Sequence, residues 1–212
     1  TVTNPSSDTG VGQTLFTVTS NAPALTARNP SSGNRGWPVT ILSLTGTGFQ
    51  PGATVLIRRS GYPDVVATGV NVASPTSINA GTLNLLGVPA GTWYYVVINS
   101  DGQASTSTSR TFTVNSLTPT IPGTPAFSPS TGARGTTGLT ITAPGTYLQP
   151  GMAVVLTGGP TTITAYNVNV VSPASVTFTI DIPAGATTGW YTARYTNTDG
   201  RTVTRTNRFQ VT

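Results

Sequence analysis

Short runs in which apolar and polar residues alternate, separated by turns rich in glycine and proline, recur along the whole chain. Leu42 to Thr47 and Leu139 to Thr142 alternate in this way, and Thr54 to Ile57, Ala153 to Leu156 and Val176 to Ile180 are further candidate strands. Alternation with a period of two is the pattern of a half-buried β-strand. Turn signals about every 8 to 12 residues are typical of an antiparallel β-sandwich. The pattern therefore predicts an all-β protein.

A longer phrase occurs three times: an asparagine, an aspartate a few residues later, and a Ser/Thr-rich stretch that closes on Phe-x-Val. The closing phenylalanines are Phe16, Phe112 and Phe209, which lie 96 and 97 residues apart. A period of this length corresponds to a domain. The predicted division is a hairpin from a truncated or preceding domain at 1–20, complete domains at 21–115 and 126–212, and a Pro-rich linker at 116–125.

The incomplete first copy predicts a hairpin without a domain of its own. Val2 to Asn4 and Leu15 to Thr19 have the composition of short strands, and the residues between them favour turns. An isolated two-stranded hairpin is marginally stable in water, so this one needs a partner. Either it ends an upstream domain that was cleaved or left out, or it is donated to a neighbouring copy by β-strand addition. The side chains expected to be exposed or to contact another chain are Val2, Leu15, Phe16 and Val18.

Further phrases recur in the same order in both complete domains. The first domain contains Pro30 to Gly33, Thr45 to Phe49, Pro89 to Gly91 and Asn99 to Gly102. In this order and spacing they resemble the IPT/TIG immunoglobulin-like family, whose repeats commonly carry Pro-Ser-x-Gly, Thr-Gly-Thr-Gly-Phe, Pro-Ala-Gly, Asn-x-Asp-Gly and a closing Phe-x-Val. The second domain departs at the second phrase, where Ala143 to Tyr147 reads Ala-Pro-Gly-Thr-Tyr, and a different bulge is expected there.

The resemblance covers nearly the whole chain. It implies tandem Ig-like antiparallel β-sandwiches preceded by an orphan two-stranded hairpin. Such modules are used in surface receptors, adhesins, transcription factors, carbohydrate-active enzymes and prokaryotic cell-surface proteins. The resemblance brings no catalytic residues, and a fold alone does not choose among these uses.

Composition excludes most catalytic chemistry. The chain has no Cys and no His, and its ten basic and five acidic residues are all Arg and Asp. These absences rule out Ser-His-Asp and Cys-His arrangements, a Ser-Lys pair, and the favoured ligands of zinc. We therefore predict a protein that is not an enzyme and that uses no cofactor.

The aspartates are predicted to be structural. Asp8, Asp101 and Asp199 occupy the hairpin loop of their respective copies, where Asp commonly bonds its own backbone. The other two have no evident acidic partner. Calcium between tandem domains usually needs several carboxylates, and the 116–125 segment has none. No metal site is predicted.

Charge and hydropathy limit the partners. The net charge is +5, but the arginines are scattered and Arg58-Arg59 is the only adjacent pair, so we predict no nucleic-acid site. No apolar stretch approaches the roughly 18 residues of a membrane-spanning helix, so this segment is not expected to insert in a membrane. Proline blocks N-glycosylation after Asn4 and Asn29, whereas O-linked sugar on runs such as Ser105 to Ser109 stays open.

The two strands that lead into the repeated asparagines differ. In the second domain, alternation places Tyr191, Ala193 and Tyr195 on the inner face, and Trp190 and Arg194 with the threonines on the outer face. In the first domain, both faces are apolar. The outer face, which we expect to be covered by neighbouring side chains, a preceding domain or another subunit, carries Tyr94, Val96 and Ile98.

Two functions of different kinds fit these observations. We favour a structural repeat protein of the cell exterior that assembles, with other copies of itself or with adjacent Ig-like domains, into a filament, sheath or surface layer. The alternative is an adhesin or a carbohydrate-binding module. In that case a glycan ligand would stack on exposed aromatic rings, for which the candidates are Trp37, Tyr62, Trp93, Tyr94 and Trp190.

Overall fold

The computed structural model describes residues 2–3, 9–10, 21–41, 43–106, 108–123 and 126–212. Within these ranges the chain forms strands, turns and bends and contains no helix. The predicted all-β class is confirmed, and the strands form tandem Ig-like sandwiches. This outcome follows from the alternating apolar residues, because each strand buries one face in a core.

The first strands form a small hairpin at the N-terminus. β1 (Val2–Thr3) pairs antiparallel with β2 (Thr9–Gly10). The sequence predicted 9–10 to be loop and 15–19 to be the partner strand. The observed partner of β1 is therefore different, and it lies closer to β1 in the sequence. The stretch 11–20, with Leu15, Phe16 and Val18, and the side chain of Val2 lie outside the described residues, and their predicted interface stays a prediction.

The first sandwich is formed by β3 (Ala24–Asn29), β4 (Ser32–Asn34), β5 (Pro38–Thr40), β6 (Ser43–Thr47), β7 (Thr54–Arg58), β8 (Val65–Val66), β9 (Thr68–Ser74), β10 (Ser77–Asn84), β11 (Gly91–Ile98) and β12 (Thr111–Asn115). One sheet has the order β3-β6-β10-β5, with β9 also paired to β10, and the other has the order β4-β12-β11-β7-β8. The β4–β12 pair is parallel, and the remaining pairs are antiparallel.

The second sandwich is formed by β13 (Thr131–Gly132), β14 (Leu139–Pro144), β15 (Ala153–Gly158), β16 (Thr161–Thr164), β17 (Tyr166–Ser172), β18 (Ser175–Ile180), β19 (Gly189–Thr196) and β20 (Thr202–Val211). Its sheets have the orders β13-β20-β19-β15-β16 and β14-β18-β17. The β13–β20 pair is parallel, like β4–β12 in the first sandwich. The sheet β13-β20-β19-β15-β16 thus repeats the order of β4-β12-β11-β7-β8, whereas the other sheet has five strands in the first sandwich and three in the second.

Each sandwich has its own hydrophobic core. The largest buried side chains are aromatic, namely Trp93, Tyr95 and Phe112 in the first core and Phe178, Tyr191, Tyr195 and Phe209 in the second. Burying one such side chain contributes about 1.5 to 3 kcal/mol, so these rings are a main source of stability.

The repeated Pro-Ser-x-Gly and Phe-x-Val phrases pack against each other. In each domain the strand with the glycine runs parallel to the strand with the phenylalanine. A Cβ atom on Gly33 would lie 3.0 Å from the ring of Phe112, and one on Gly132 would lie 3.0 Å from the ring of Phe209. Glycine fits here because the ring and still closer methyl groups, of Leu85 in the first domain and of Ile182 and Leu139 in the second, fill the space of a side chain.

Candidate functional site

The carboxylates of the described residues have structural partners. In the part of the chain that the structure describes, no group of three acidic residues is placed to hold a metal ion, and no helix is long and apolar enough to cross a membrane. Asp64 accepts two hydrogen bonds from Arg58, at 2.9 and 2.6 Å, and this contact is the main reason that its pKa is lowered. Asp181 accepts from the Gly138 N–H and from the Tyr166 hydroxyl.

A polar network closes one end of the second sandwich. Asn197 is 2% exposed; its Nδ2 donates to the Tyr147 carbonyl at 2.8 Å, and its Oδ1 accepts from the Gln149 N–H at 3.2 Å. Gln149 in turn donates to Asp199 through Nε2 and accepts from the Thr198 hydroxyl. The side chains of the Asn-x-Asp-Gly turn thus tie it to the Gln-Pro-Gly turn between β14 and β15.

The first sandwich has the same network at its equivalent end. Asn99 donates to the Gly48 carbonyl at 2.7 Å and accepts from the Gln50 N–H at 3.2 Å. Gln50 donates to Asp101 and accepts from the Ser100 hydroxyl. The sequence showed both repeated phrases, but it did not reveal that they bond to each other.

The network of the second sandwich lies at its junction with the first. The indole N–H of Trp37 donates to the Leu148 carbonyl at 2.7 Å. On the other side of the junction, the Ser116 hydroxyl donates to Asp199 at 2.5 Å and accepts from Arg201 Nε at 2.7 Å. Hydrogen bonds at two separate places restrain rotation and tilt, so the sandwiches are held in a defined relative orientation.

The junction is closely packed. The cavity left between the sandwiches measures about 10 Å³ and is lined by residues that include Trp37, Leu117 and Tyr147. Ligand pockets are typically about 300 to 1,000 Å³ in volume. The junction therefore joins two domains and does not hold a ligand.

Tyr147 is in a strained conformation at this junction. Its φ is +56°, in the left-handed region that side chains disfavour. The equivalent position of the first sandwich is Gly48, with a φ of +71°. The second sandwich thus keeps the backbone conformation of the motif but places an aromatic side chain where it lines the junction. This is the departure from the Thr-Gly-Thr-Gly-Phe phrase.

The segment predicted to be a Pro-rich linker lies along the second sandwich. Arg201 donates to the Thr118 hydroxyl, Arg205 to the Ile121 carbonyl, and Arg208 to the carbonyls of 122 and 123, over distances of 2.8 to 3.2 Å. Ile121 is 2% exposed and belongs to the second core. Three arginines of β20 and its preceding turn thus fix 118–123 to the second sandwich.

The aromatic candidates for sugar stacking lie in different environments. Trp93 is 1% exposed and is a core residue, so the prediction that it could stack on a sugar was wrong. Trp37 uses its indole N–H in the junction. Tyr62 is 42% exposed, but its ring lies 6.0 Å from that of Trp93 and under the Arg59 guanidinium. Trp190 is 53% exposed and has no aromatic neighbour among the described residues.

The outer face of β11 is largely shielded from solvent. Val96 is 7% exposed and its cross-strand partner Leu56 is 4% exposed, yet neither belongs to the core cluster. Tyr94 and Ile98, on the same face, are half-buried. The apolar outer face predicted from the sequence is observed, and its role as an interface stays a prediction.

The outer face of β19 is open. It forms a shallow depression of about 540 Å³ whose lining includes Val155, Thr157, Thr192, Arg194 and Thr204. The inner positions 191, 193 and 195 are at most 1% exposed, as the alternation predicted. The same strand is thus apolar on both sides in the first sandwich and on one side in the second.

Acid is expected to weaken the junction through Asp199. Partial burial, the largest single influence, opposes its ionisation, but hydrogen bonds from Ser116, the Arg201 N–H and Gln149 together lower its pKa. A carboxylate whose pKa is lower in the folded state stabilises the fold above its unfolded pKa of about 4, and this contribution is lost as the pH falls through the folded value. We expect Asp199→Asn to reduce the loss of thermal stability below about pH 4.

Calorimetry at several pH values checks this expectation. Between about pH 5 and 9 the curve is expected to be nearly flat, because the chain has no His, Cys, Lys or Glu side chain to titrate there. Asp64→Asn serves as the control, since its Arg58 contact lies in the first sandwich. If the loss of thermal stability in acid is the same in Asp199→Asn as in the unmodified chain, Asp199 is not the group whose protonation weakens the junction.

No family model and no curated protein matches the chain. Solved structures that are similar include tandem Ig domains of titin, at 15% identity, covering 90% of this chain and 97% of that one, with a TM-score of 0.35. Another is the Bacteroides ovatus mixed-linkage glucan utilization locus protein SGBP-B in complex with a mixed-linkage heptasaccharide, at 15% identity, covering 87% of this chain and 44% of that one, with a TM-score of 0.29. A third is the Yersinia pseudotuberculosis adhesin InvE, at 15% identity, covering 88% of this chain and 58% of that one, with a TM-score of 0.34.

The chain spans less than half of the Bacteroides structure and 58% of the adhesin. At these identities and TM-scores the likenesses carry no functional argument, and the Ig-like assignment stands on the strand order given above. The resemblance to the IPT/TIG family stays a prediction.

Proposed function

We propose that this chain is a non-enzymatic structural element of the cell exterior, a strut in which two Ig-like sandwiches are held in a fixed relative orientation. The junction is the observation that supports this function. Trp37 is bonded to Leu148 on one side, and Ser116 links Asp199 and Arg201 on the other. A protein that transmits force or spacing needs such a joint, because flexible joints let domains reorient.

We propose that the domains of this strut are 21–115 and 118–212. The contacts of 118–123 with Arg201, Arg205 and Arg208 support counting that segment with the second domain. The joint then consists of Ser116, which is bonded to Asp199 and Arg201, and Leu117, which lines the junction cavity, and this short connection adds to its stiffness.

We further propose that copies assemble into a filament, sheath or surface layer through contacts other than the internal junction. The ends of the sandwiches that face away from the junction lack the residues that make it: Thr136 stands where the first sandwich has Trp37, and Gly48 stands where the second has Tyr147. A head-to-tail contact between copies would therefore lose the indole hydrogen bond. The proposed assembly contacts are Val2, Leu15, Phe16, Val18, Tyr94, Val96 and Ile98.

Replacement of Trp37 by alanine tests the strut. We expect the variant to lose about 2 kcal/mol of domain coupling, from one hydrogen bond and part of a buried ring. Small-angle X-ray scattering should show one narrow distance distribution for the unmodified chain and a broader one for Trp37→Ala. Trp190→Ala, which removes an exposed tryptophan away from the joint, should leave the distribution unchanged. Equal distributions for the unmodified chain and Trp37→Ala would contradict the proposed rigidity.

Assembly is tested separately by electron microscopy and sedimentation of the unmodified chain over a range of concentrations. We expect ordered oligomers or filaments, and Tyr94→Asp should reduce them because it places a charge on the half-buried part of the outer face of β11. A monodisperse monomer at high concentration would contradict assembly and leave the strut proposal standing.

A carbohydrate-binding role is the second candidate, and the exposure of Trp190 is the observation that favours it. At 53% exposed, Trp190 is the one tryptophan among the described residues whose ring is mostly available to solvent. A strut with such a ring on its side would display a binding surface away from its joint.

A further inference from the structure

The outer face of the second sandwich has a regular chemical pattern, set by the strand register. One cross-strand row contains Thr162, Thr157 and Thr192, on β16, β15 and β19. The next row, two residues away along β19, contains Val155, Arg194 and Thr204 on β15, β19 and β20. Together these six residues line the depression of about 540 Å³, and we name them the threonine face.

Polar groups of the threonine face are unused within the described chain. The hydroxyls of Thr157, Thr162, Thr192 and Thr204 make no hydrogen bond to another described residue, and the Arg194 guanidinium makes neither a hydrogen bond nor an ion pair there. By contrast, Arg201, Arg205 and Arg208 are engaged by the junction and the 118–123 segment. Neither row contains an acidic side chain. The face therefore presents one uncompensated positive charge surrounded by hydroxyl groups.

Trp190 extends this face at one end. It lies on the same side of β19 as Thr192 and Arg194, because residues at i, i+2 and i+4 of a strand point the same way. Four residues of strand separate Trp190 from Arg194, or about 14 Å at about 3.4 Å per residue. An aromatic ring, a row of hydroxyls and a guanidinium thus follow one another along one line.

The first sandwich does not have this surface. At the positions of Trp190 and Arg194 it has Thr92 and Val96, and Leu56 stands in place of Val155. Leu56 and Val96 are buried, whereas Arg194 is exposed. The same fold thus carries a shielded apolar face in one copy and an open polar face in the other, so the threonine face is a property of the second sandwich alone.

We propose that the threonine face, together with Trp190, binds an acidic polysaccharide, one whose sugar rings bear carboxylates. A sugar ring can stack on the indole, its hydroxyls can bond to the threonines, and a carboxylate can form a charge-assisted, bidentate pair with Arg194. A single arginine can pair with one carboxylate, so it matches a polymer whose negative charges are spaced one sugar ring apart. Single-stranded nucleic acid instead needs a groove with several cations that tracks its phosphates, and these rows have no second cation.

This inference deepens the second candidate function, on which it rests, and it is independent of the strut. Binding is to be measured on the full chain with polygalacturonate and with its methyl ester, which has the same sugar backbone without the negative charge. Two variants, Arg194→Val and Trp190→Thr, introduce the residues that the first sandwich has at the equivalent positions, and we call them the transplants. Arg134→Val, on an exposed loop of the same sandwich, is the charge-matched control. Thermal melting of each variant establishes that it is folded.

We expect polygalacturonate to bind more tightly than its methyl ester, and added salt to weaken that binding. Each transplant should lower the affinity about tenfold, the size expected for loss of one good contact, whereas Arg134→Val should stay within about twofold. Folded transplants that bind like the unmodified chain, or absence of polygalacturonate binding, would overturn the inference.

Two other outcomes would overturn the acidic specificity in different ways. If the methyl ester binds as tightly as the acid, and Trp190→Thr but not Arg194→Val abolishes binding, the carbohydrate-binding function stands and the acidic ligand is wrong. If oligothymidylate binds more tightly than polygalacturonate and both transplants weaken it, the face is a nucleic-acid site. In that case both the acidic polysaccharide and the carbohydrate-binding function fail.

Discussion

Replacement of Asn197 by alanine is expected to lower the free energy of unfolding of the second sandwich by about 3 kcal/mol. The side chain is 2% exposed and holds the Tyr147 carbonyl and the Gln149 N–H, at 2.8 and 3.2 Å. Alanine leaves both backbone groups without these partners, and each buried unsatisfied group costs about 1 to 3 kcal/mol. The same turn carries Asp199, so the variant should also loosen the domain junction.

Denaturant unfolding measures this loss for each sandwich. The first contains Trp37 and Trp93 and the second contains Trp190, so variants that keep only one set of tryptophans report the two transitions separately by fluorescence. Asn99→Ala should destabilise the first sandwich by a similar amount, because Asn99 makes the equivalent bonds.

An exposed asparagine provides the control for this experiment. Asn169 lies on the solvent side of β17, and its replacement by alanine should change stability by no more than about 0.5 kcal/mol. If Asn197→Ala costs no more than Asn169→Ala, the network is not what holds the Asn-x-Asp-Gly turn.

Strand positions were predictable where one physical rule fixes them. The alternation along 190–196 correctly predicts which side chains are buried, because a strand must turn successive residues to opposite faces. Along 93–98 it predicts the two faces but not the burial, because the outer-face residue Val96 is buried as well as Trp93, Tyr95 and Val97. The closing Phe-x-Val phrase is similarly placed, since Phe209 and Val211 are two residues apart and both enter the core. The short strands β5, β8 and β16 carry too few residues for alternation to be visible.

Contacts between distant parts of the chain were not predictable in this way. The arginines of 201–208 bond to the 116–123 segment across more than 80 positions of sequence, and no local pattern specifies which carbonyl a long side chain reaches. Prolines in 116–125 predicted a stiff linker, whereas the arginine contacts attach most of that segment to the second sandwich. Tyr147 was seen only as a departure from a motif. Its role depends on Trp37 of the other sandwich and on Leu117 of the joint, and the pattern of its own strand specifies neither contact.

The open face of the second sandwich was predictable only in part. Alternation placed Trp190, Thr192 and Arg194 on one side of β19, and only the cross-strand register added the threonines of β15, β16 and β20. A repeat in the sequence identifies equivalent positions, so the contrast between Arg194 and Val96 was available from the start. The sequence did not indicate how exposed each of the two faces is to solvent.

Gly46→Ala is expected to destabilise the first sandwich by about 3 kcal/mol, at the upper end of the cost of overpacking. A Cβ atom at Gly46 would lie 2.0 Å from the Ala24 carbonyl oxygen and 2.5 Å from the Phe49 ring. Ala24 begins β3, which is paired with β6, so its backbone can move only if that pairing is lost. Denaturant unfolding of the first sandwich, followed by the fluorescence of its two tryptophans, measures the effect.

Gly145→Ala is the matched variant in the second sandwich and should cost only about 1 kcal/mol. Its Cβ would lie 2.6 and 2.9 Å from the two terminal methyls of Leu148 and 2.9 Å from its Cγ, and a side chain can shift where the carbonyl of a paired strand cannot. Gly185→Ala, with no atom within 4 Å of the new Cβ, should be close to neutral. Equal losses for Gly46→Ala and Gly145→Ala would contradict this explanation.

The two glycines differ in what lies against them. The first Gly of Thr-Gly-Thr-Gly-Phe packs against the backbone of β3, which is paired with β6. In the second sandwich the corresponding chain is bridged to Thr146 through Thr120 and to Thr142 through Ser128, and the atoms closest to a Cβ on Gly145 belong to the Leu148 side chain. The residue before Gly145 is Pro144, and the turn that follows brings Tyr147 to the junction. The glycine of the phrase is thus held by a backbone contact in one sandwich and by a side-chain contact in the other.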